Sequence, residues 1–308
     1  MIIIFTGATS FTGYHFIKEL NTCKIKPYLL FSNNYDYYKS LQGNKKVRFN
    51  YLFKNNKCFF NLKYGSSKFI ELLNSFKKID IFCHHFAYTK NYNKKNFNLY
   101  KSINVNTHNC DEVISTLSKK KIIKYIYTGS YFEPNIQKDS STKFSNYGIS
   151  KMISGRILEV SLKNYNLIFY KFLISNPFGK LEDEFRLTSL IIQYWKLNKI
   201  FNIRYPRYKR DFIPVSILRK IYVDFILNSK KQFMDPSYFL LTNIQFIKIF
   251  SQLLNNHSHF KCSFSKAQLD HTEPMTIKNL NKSHKFYKFK TNVFVKEELS
   301  YFLSLITK

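Results

Sequence analysis

Tyr147 and Lys151 have the spacing of a proton-transfer pair. They lie four residues apart, so on a helix they would share one face. An ammonium beside a phenol lowers the pKa of the phenol from its usual value of about 10, and the phenol can then exchange a proton with a carbonyl or an alcohol near neutral pH. In a chain with 23 tyrosines this pair is a weak signal until other elements accompany it.

Hydroxyl groups stand upstream of this pair, directly after an apolar run over 122–127. The sequence there reads Thr128-Gly129-Ser130. A hydroxyl at this point can hold the oxygen of a substrate in place, and we expect Thr128 to do so, with Ser130 in reserve as a substrate contact. Thr128, Tyr147 and Lys151 are therefore the candidate catalytic residues.

A glycine-containing turn follows the apolar run over 2–5. It reads Thr6-Gly7-Ala8-Thr9-Ser10-Phe11-Thr12-Gly13 and precedes a predicted helix. Such a turn aims backbone N–H groups and a helix N-terminus at a pair of phosphates, as in dinucleotide-binding proteins. Ser10 stands where a third glycine is common, so a small side chain must be tolerated there. The predicted cofactor contacts in this turn are Gly7, Thr9, Ser10, Phe11, Thr12 and Gly13.

The end of the second predicted strand indicates which dinucleotide is bound. An acidic residue there would bind the ribose hydroxyls of NAD. The sequence reads Phe31-Ser32-Asn33-Asn34, with no acid before Asp36. Ser32 and Asn33 leave room for a 2′-phosphate that Lys39 or Lys45 could neutralise. This favours NADP(H), with NAD(H) as the alternative, and we expect Tyr147 and Lys151 to contact the nicotinamide end.

Strands and helices alternate through the first half of the chain. The apolar patterns predict strands over 2–5, 27–31, 47–52, 79–83, 122–127 and 167–174, and helices over 14–20, 67–76, 102–117 and 147–162. This order predicts an α/β fold, a Rossmann-type doubly wound parallel sheet. Residues 1–175 would form the dinucleotide-binding domain, which the segment over 211–230 could join. Helices and loops are predicted to predominate over 176–308, a smaller C-terminal substrate lobe.

Several motifs together resemble the extended short-chain dehydrogenase/reductases, within the NAD-dependent epimerase/dehydratase family. They are the glycine turn and the tyrosine–lysine pair, joined by Cys83-His84-His85-Phe86-Ala87, Asn104-Val105, Asn176-Pro177-Phe178-Gly179 and Arg210-Asp211-Phe212-Ile213. The resemblance covers nearly the full length. It implies an enzyme acting on a nucleotide sugar, with Phe86 and Ala87 lining the cofactor. It also implies a substrate contact from Asn176 and a homodimer paired through the helices near Asn104 and Tyr147. Arg186 and Arg210 are our candidates for contacts to the base and the phosphates of the substrate.

The residues after Thr128 narrow the reaction within this family. Family dehydratases carry a hydroxyl, an aspartate and a glutamate in succession, and Gly129 and Ser130 fall where those acids would stand. Neither can act as an acid or base in elimination. A reductase that converts a 4-keto-deoxysugar nucleotide in deoxysugar or surface-polysaccharide (O-antigen) synthesis is favoured, because the acid typical of NAD-retaining epimerases is missing. An epimerase remains the alternative.

Composition sets the remaining expectations. The net charge of +30 comes from 49 Lys+Arg against 19 Asp+Glu, but these residues are spread along the chain, so no specific nucleic acid is expected. A non-catalytic nucleotide-sensing or RNA-binding protein is the alternative of another class. No apolar stretch is long enough to span a membrane, and the five scattered cysteines suggest neither disulfides nor a metal site. A cytoplasmic protein fits best.

Overall fold

The computed structural model describes residues 1–92, 96–134, 144–258, 261–267, 274–279, 281–282 and 291–306. It divides into two compact units. The first comprises Met1–Ile174 and Tyr222–Met234, and the second comprises Ser175–Ile221 and Asp235–Lys308. Within the described residues, no helix combines the length and hydropathy that crossing a membrane would require.

Strands and helices alternate through the first 174 residues. In chain order they are β1 (Ile3–Thr6), α1 (Phe11–Thr22), β2 (Tyr28–Leu30), α2 (Tyr35–Lys39), α3 (Gly43–Asn55), β3 (Lys57–Phe59), α4 (Ser67–Ser75), β4 (Ile81–His84), α5 (Leu99–Thr107), α6 (Cys110–Lys119), β5 (Lys124–Ser130), α7 (Asn146–Asn164) and β6 (Phe169–Ile174).

Shorter strands accompany the helices that follow. They are β7 (Asn176–Phe178), α8 (Leu187–Lys196), β8 (Phe201–Ile203), β9 (Lys209–Pro214), α9 (Val215–Leu227), β10 (Phe233–Met234), β11 (Pro236–Ser237), β12 (Phe239–Thr242), α10 (Asn243–Asn255), β13 (Phe264–Lys266), β14 (Thr276–Ile277), β15 (Asn281–Lys282) and α11 (Thr291–Ile306).

The first unit is built on a seven-stranded sheet in the order β10-β6-β5-β4-β1-β2-β3, and every neighbouring pair is parallel. Side chains alternate between its faces. On one face Phe16 of α1 stacks on Tyr222 of α9, with ring centroids 3.8 Å apart. On the other face Leu158 and Leu162 of α7 join a buried apolar cluster that includes Tyr125 and Tyr127 of β5. The predicted doubly wound Rossmann-type fold is therefore confirmed.

One predicted strand is wrong. Residues 47–52 lie inside α3, and the third strand is β3 instead. The apolar residues there alternate along the sequence, but Arg48, Phe49 and Leu52 are the ones that α3 buries, which is helical spacing. Val47 is half exposed.

The second unit has its own core and small sheets, which the sequence analysis did not predict. β9 pairs with β12 antiparallel and with β7 and β14 in parallel, while β8 pairs with β13. Aromatic side chains fill the core: Phe212 stacks on Phe246 at 4.0 Å, and Trp195 is fully buried beside Phe250. These strands have two to six residues, too short for a periodic pattern to stand out.

Candidate active site

The ends of four adjacent strands meet at one edge of the parallel sheet. Thr6 at the end of β1 pairs with Leu30 of β2, and His84 at the end of β4 pairs with Tyr127, from which β5 runs on for three residues to Ser130. β1 and β4 are neighbours, and the chain runs outward from them in opposite directions across the sheet. Ligands of open α/β sheets bind at such a switch point. The glycine turn and the segments after β2, β4 and β5 all start from this edge.

The glycine turn forms a cradle in which a side chain would clash. Gly7 has a φ of +73°, and a Cβ there would lie 2.7 Å from the backbone nitrogen of Phe86. A Cβ at Gly13 would lie 2.5 Å from the carbonyl oxygen of Gly7. Both glycines therefore permit close approach of the turn, α1 and the segment after β4. The cradle and the N-terminus of α1 suit a dinucleotide diphosphate, so these residues fit the predicted cofactor.

Ser10, which replaces the usual middle glycine, turns its side chain back into the turn. Its Oγ donates to the carbonyl oxygen of Gly7 at 2.9 Å and accepts from the backbone N–H of Gly13 at 3.0 Å. It thereby caps α1. The predicted tolerance for a small side chain at this position thus has a structural explanation.

His85 braces the turn from the end of β4. Its Nε2 lies 3.0 Å from the Oγ of Ser10 and 3.1 Å from the Oγ1 of Thr12. One ring nitrogen thus lies within hydrogen-bond distance of two hydroxyls of the turn. Burial, followed by the charge of Lys151, lowers the pKa of His85 to about 3, so the ring is neutral. His85 supports the turn and does not act as an acid or base.

The remaining predicted cofactor contacts also flank this edge. Thr9 is half-buried in the turn and Phe11 is buried at the start of α1. Phe86 and Ala87 are half-buried after β4, and the Phe86 N–H donates to the Oγ1 of Thr6 at 3.2 Å. Their positions are those of residues that could line a dinucleotide.

An aromatic residue backs the end of β2. The Tyr38 hydroxyl from α2 lies 3.5 Å from the Oγ of Ser32, and burial raises the pKa of this phenol. Ser32 and Asn33 are half-buried, while Lys39 and Lys45 are exposed. No carboxylate contact to Ser32 or Asn33 is found within the described chain.

Tyr147 and Lys151 lie in the first two turns of α7, as their spacing predicts. The half-buried ring of Tyr147 contacts Tyr92 and Phe97, with centroids 5.4 and 5.9 Å away. Lys151 is buried, with its Nζ 4.3 Å from the ring centroid of Tyr127 on β5. Burial lowers the pKa of this ammonium to about 8, against a smaller opposing effect of Glu133. Lys151 can therefore gain or lose a proton near neutral pH.

The two hydroxyls of β5 are not equivalent. Tyr127 faces α7, and Thr128, the next residue, faces the other side of the sheet, where its Oγ1 lies against the Tyr222 phenol. Thr128 also lies about 6.6 Å below the strand end, at about 3.3 Å per residue. Ser130 is the last residue of β5, and its Oγ accepts from the Phe132 N–H at 3.3 Å. By the same alternation Ser130 lies on the face of Thr128, so the two hydroxyls differ in their position along β5. The position of Ser130 at the strand end favours it over Thr128 as the hydroxyl that holds the substrate oxygen.

The backbone links Ser130 to the start of α7. A Cβ at Gly148 would lie 2.1 Å from the carbonyl oxygen of Phe132, so the turn after Ser130 packs directly on the residue that follows Tyr147. Ser145 caps α7 by accepting the Gly148 N–H at 3.1 Å. The structure therefore brings Ser130, Tyr147 and Lys151 to the same region of the sheet edge.

A buried polar network, which no sequence motif indicated, holds α5 against α7. Asn106 accepts the Tyr88 N–H at 2.8 Å, and its Nδ2 donates to the hydroxyls of Ser102 and Ser154 at 3.3 and 3.4 Å. Ser102 donates to Ser150, which donates to the Tyr147 carbonyl oxygen at 2.8 Å. Asn104, singled out in the sequence, is exposed. The helical burial pattern of α5 could have indicated Asn106 instead.

The predicted substrate contacts of the second unit fall into two groups. Arg186 donates through Nη2 to the Oδ1 of Asn176 at 3.4 Å, and its Nε lies 3.6 Å from Glu182. Asn176 and Arg186 are thus brought together. Arg210 is buried, and its Nη1 donates to the carbonyl oxygens of Pro274 and Met275 at 3.1 and 3.3 Å. This bonding anchors β14 beside β9, so Arg210 has a structural role whatever else it contacts.

The neighbouring Asp211 is also structural. Its carboxylate accepts the N–H groups of Tyr238 and Asn279 at 2.8 and 3.2 Å, and burial raises its pKa. In the part of the chain that the structure describes, no group of three or more His, Cys, Asp or Glu side chains could hold a metal ion. All five cysteines are free thiols.

Comparisons with known proteins agree with this architecture. The sequence model of the NAD dependent epimerase/dehydratase family matches residues 3–223, and the chain belongs to that family of enzymes, within the extended short-chain dehydrogenase/reductases. No curated protein gives a significant sequence match.

Solved structures share the fold over the whole chain. UDP-glucose 4-epimerase from Thermotoga maritima, with UDP-glucose, superposes with a TM-score of 0.76 at 14% identity, covering 99% of each chain. UDP-glucuronic acid 4-epimerase from Bacillus cereus, with UDP-glucuronic acid and NAD, gives 0.75 at 16% identity, covering 99% of this chain and 100% of that one. A dTDP-glucose 4,6-dehydratase from Streptomyces venezuelae, with NAD, gives 0.74 at 12% identity, covering 99% and 97%.

Proposed function

We propose that this chain catalyses hydride transfer between a nicotinamide dinucleotide and the sugar of a nucleotide sugar. The observation that carries the proposal is the arrangement at one sheet edge of a glycine cradle and the Tyr147–Lys151 pair, with Lys151 buried under α7. The family match supports a nicotinamide cofactor. The nucleotide sugar is inferred from the solved relatives, two of which hold UDP-sugars.

Each residue of the pair has a defined task in this proposal. A bound nicotinamide dinucleotide supplies the hydride. Tyr147 donates a proton to the sugar oxygen, and the Lys151 ammonium favours the phenolate that results. Ser130, in place of Thr128, hydrogen-bonds the same oxygen, since it lies at the strand end. Asn176, Arg186 and Arg210 remain our proposed substrate contacts.

We further propose a 4-keto-sugar reductase that uses NADPH. The neutral end of β2 supports NADP(H), because an acid there would repel a 2′-phosphate. Gly129 and Ser130 support reduction over dehydration, because neither side chain is an acid. The product would be a deoxysugar nucleotide, an activated form of the deoxysugars that surface polysaccharides contain.

A 4-epimerase is the second candidate. The observation that favours it is that several solved relatives with the same fold over the full chain are 4-epimerases. An epimerase returns the hydride to the sugar and so retains its cofactor, whereas a reductase consumes it.

Cofactor stoichiometry separates the two candidates. The purified chain is incubated with NADPH or NADH and 4-keto nucleotide sugars, and separately with UDP-hexoses and NAD, and products are identified by mass spectrometry. The reductase predicts one NADPH oxidised per sugar reduced, and the epimerase predicts isomerised sugar without net cofactor change. If neither reaction occurs and the chain binds unspecific RNA in a salt-dependent manner, the non-catalytic alternative is favoured.

We also propose a homodimer formed through α5 and α7. Their outer faces carry exposed apolar side chains: Tyr100 is 83% exposed, Ile157 37% and Val160 59%. Light scattering of the wild-type chain and of Val160→Glu tests it; a monomeric wild-type chain would contradict it.

A further inference from the structure

A buried carboxylate lies directly after β5, and none of the roles above uses it. Glu133 is 4% exposed. Its Oε1 accepts the backbone N–H of Ser130 at 2.8 Å, while its own N–H donates to the carbonyl oxygen of Ser130 at 3.0 Å. Its Oε2 accepts the Nζ of Lys171 on β6 at 2.6 Å. Glu133 thus ties the end of β5 to the neighbouring strand.

Gly129 makes room for this ion pair, and Gly155 of α7 lies in contact distance of it. A Cβ at Gly129 would lie 2.3 Å from the Oε1 of Glu133 and 3.2 Å from the Cε of Lys171. A Cβ at Gly155, one turn beyond Lys151 on α7, would lie 3.7 Å from the Nζ of Lys171. In the sequence, Gly129 is notable only because family dehydratases have an acid at that position. In the structure, its lack of a side chain leaves the space that the Glu133 carboxylate occupies.

The ion pair lies within electrostatic reach of Lys151. The carboxylate of Glu133 favours the Lys151 ammonium, and the ammonium of Lys171 disfavours it. Other titratable groups close to Lys151 are Tyr127 on β5, and His84 and His85 at the end of β4. Both histidines are neutral, because burial lowers the pKa of each. Glu133 therefore supplies negative charge beside a buried lysine.

We propose that Glu133 and Lys171 are positioning residues for the Tyr147–Lys151 pair. Glu133 fixes the strand end that presents Ser130, and the two charges together set how firmly Lys151 holds its proton. This inference rests on the proposed function for its consequence in catalysis, but the charge arrangement itself does not.

The two residues should act in opposite directions on Lys151. Glu133→Gln keeps an oxygen for the Ser130 N–H and removes the negative charge, so Lys151 should lose its proton at lower pH. Lys171→Met removes a competing ammonium, so Lys151 should keep its proton to higher pH. The double variant removes both charges and should lie between the single variants. A residue that served only to pack the turn would change rates without moving any ionisation.

The first readout needs neither cofactor nor substrate. The free energy of unfolding is measured against pH for the wild-type chain, Glu133→Gln, Lys171→Met and the double variant, each with and without Lys151→Met. The difference within each pair of chains reports the titration of Lys151. We expect the lower edge of its pH window, which the pKa of Lys151 in the folded chain sets, to move down in Glu133→Gln and up in Lys171→Met. If the pH window of Lys151 is the same in the wild-type chain and in all the variants, the proposal is overturned. The double variant keeps the test usable if one single variant does not fold.

The second readout is the pH profile of turnover on the substrate identified above. The alkaline limb of kcat/KM should shift to lower pH in Glu133→Gln and to higher pH in Lys171→Met, and both shifts follow from the charge that each substitution removes beside Lys151. Shifted stability windows without any turnover would uphold the charge arrangement and reject the proposed function. If the stability windows do not shift and turnover is normal, the charge arrangement is rejected and the proposed function stands.

Discussion

Lys151 should make the stability of this chain depend on pH in a way that one substitution removes. Burial holds its pKa at about 8 in the folded chain, against 10.5 for a solvated lysine. Between these two values the unfolded chain binds more protons than the folded chain, so the free energy of unfolding rises with pH. One pKa unit corresponds to about 1.4 kcal/mol, so the full rise is roughly 3 kcal/mol.

Replacing Lys151 by methionine keeps the length of the side chain and removes the charge. Below about pH 8 the wild-type chain carries the full cost of the buried ammonium, and this cost disappears as the pH approaches about 10.5. The stability of the wild-type chain relative to Lys151→Met should therefore increase over that range. Lys163→Met, an exposed lysine on the same helix, controls for the loss of one charge.

Urea denaturation from about pH 7 to about pH 10 measures this difference at each step. A difference between wild type and Lys151→Met that stays flat across the range would refute the reasoning, because it would mean that folding leaves the proton affinity of Lys151 unchanged. A fall with pH would refute it as well.

Three further predictions concern the glycine turn, the β5 hydroxyls and the end of β2. Gly7→Ala places a side chain on a left-handed backbone where it also clashes, so it should cost roughly 2–4 kcal/mol of stability and weaken cofactor binding. The control Gly43→Ala is also at positive φ but exposed, and it should cost about 1 kcal/mol. Calorimetry and cofactor titration compare the two variants. Ser130→Ala should lower kcat about 10²-fold, while Thr128→Val should leave kcat nearly unchanged; the reverse ranking would restore Thr128. Ser32→Asp should weaken NADPH binding at least about tenfold and spare NADH, since like charges at a contact cost several kcal/mol; equal losses for both would contradict an NADP(H) preference.

The central strands could be predicted because they are buried on both faces. β1, β4 and β5 appear in the sequence as short apolar runs, and the predicted ranges overlap the observed ones. β3 could not, because it has three partly exposed residues and follows a helix whose apolar residues happen to alternate. The local apolar pattern predicts a strand poorly wherever the burial of its residues depends on distant parts of the chain.

Some features of the candidate site could likewise be predicted from the sequence, and others could not. The spacing of Tyr147 and Lys151 is a local property of one helix, and the sequence shows it directly. Which β5 hydroxyl is presented depends on where the strand ends, and the apolar pattern does not show that boundary. The pairing of Glu133 with Lys171 joins residues 38 positions apart on separate elements, and no local pattern announces it.

The most direct test of the account compares Tyr147→Phe with the wild-type chain in one preparation, measuring NADPH affinity by fluorescence and NADPH oxidation with the 4-keto nucleotide sugar that the wild type reduces. Phenylalanine keeps the ring that contacts Tyr92 and Phe97 and removes the hydroxyl. The account predicts nearly unchanged affinity with oxidation abolished. Oxidation retained at the wild-type rate would contradict the assignment of Tyr147 as the proton donor.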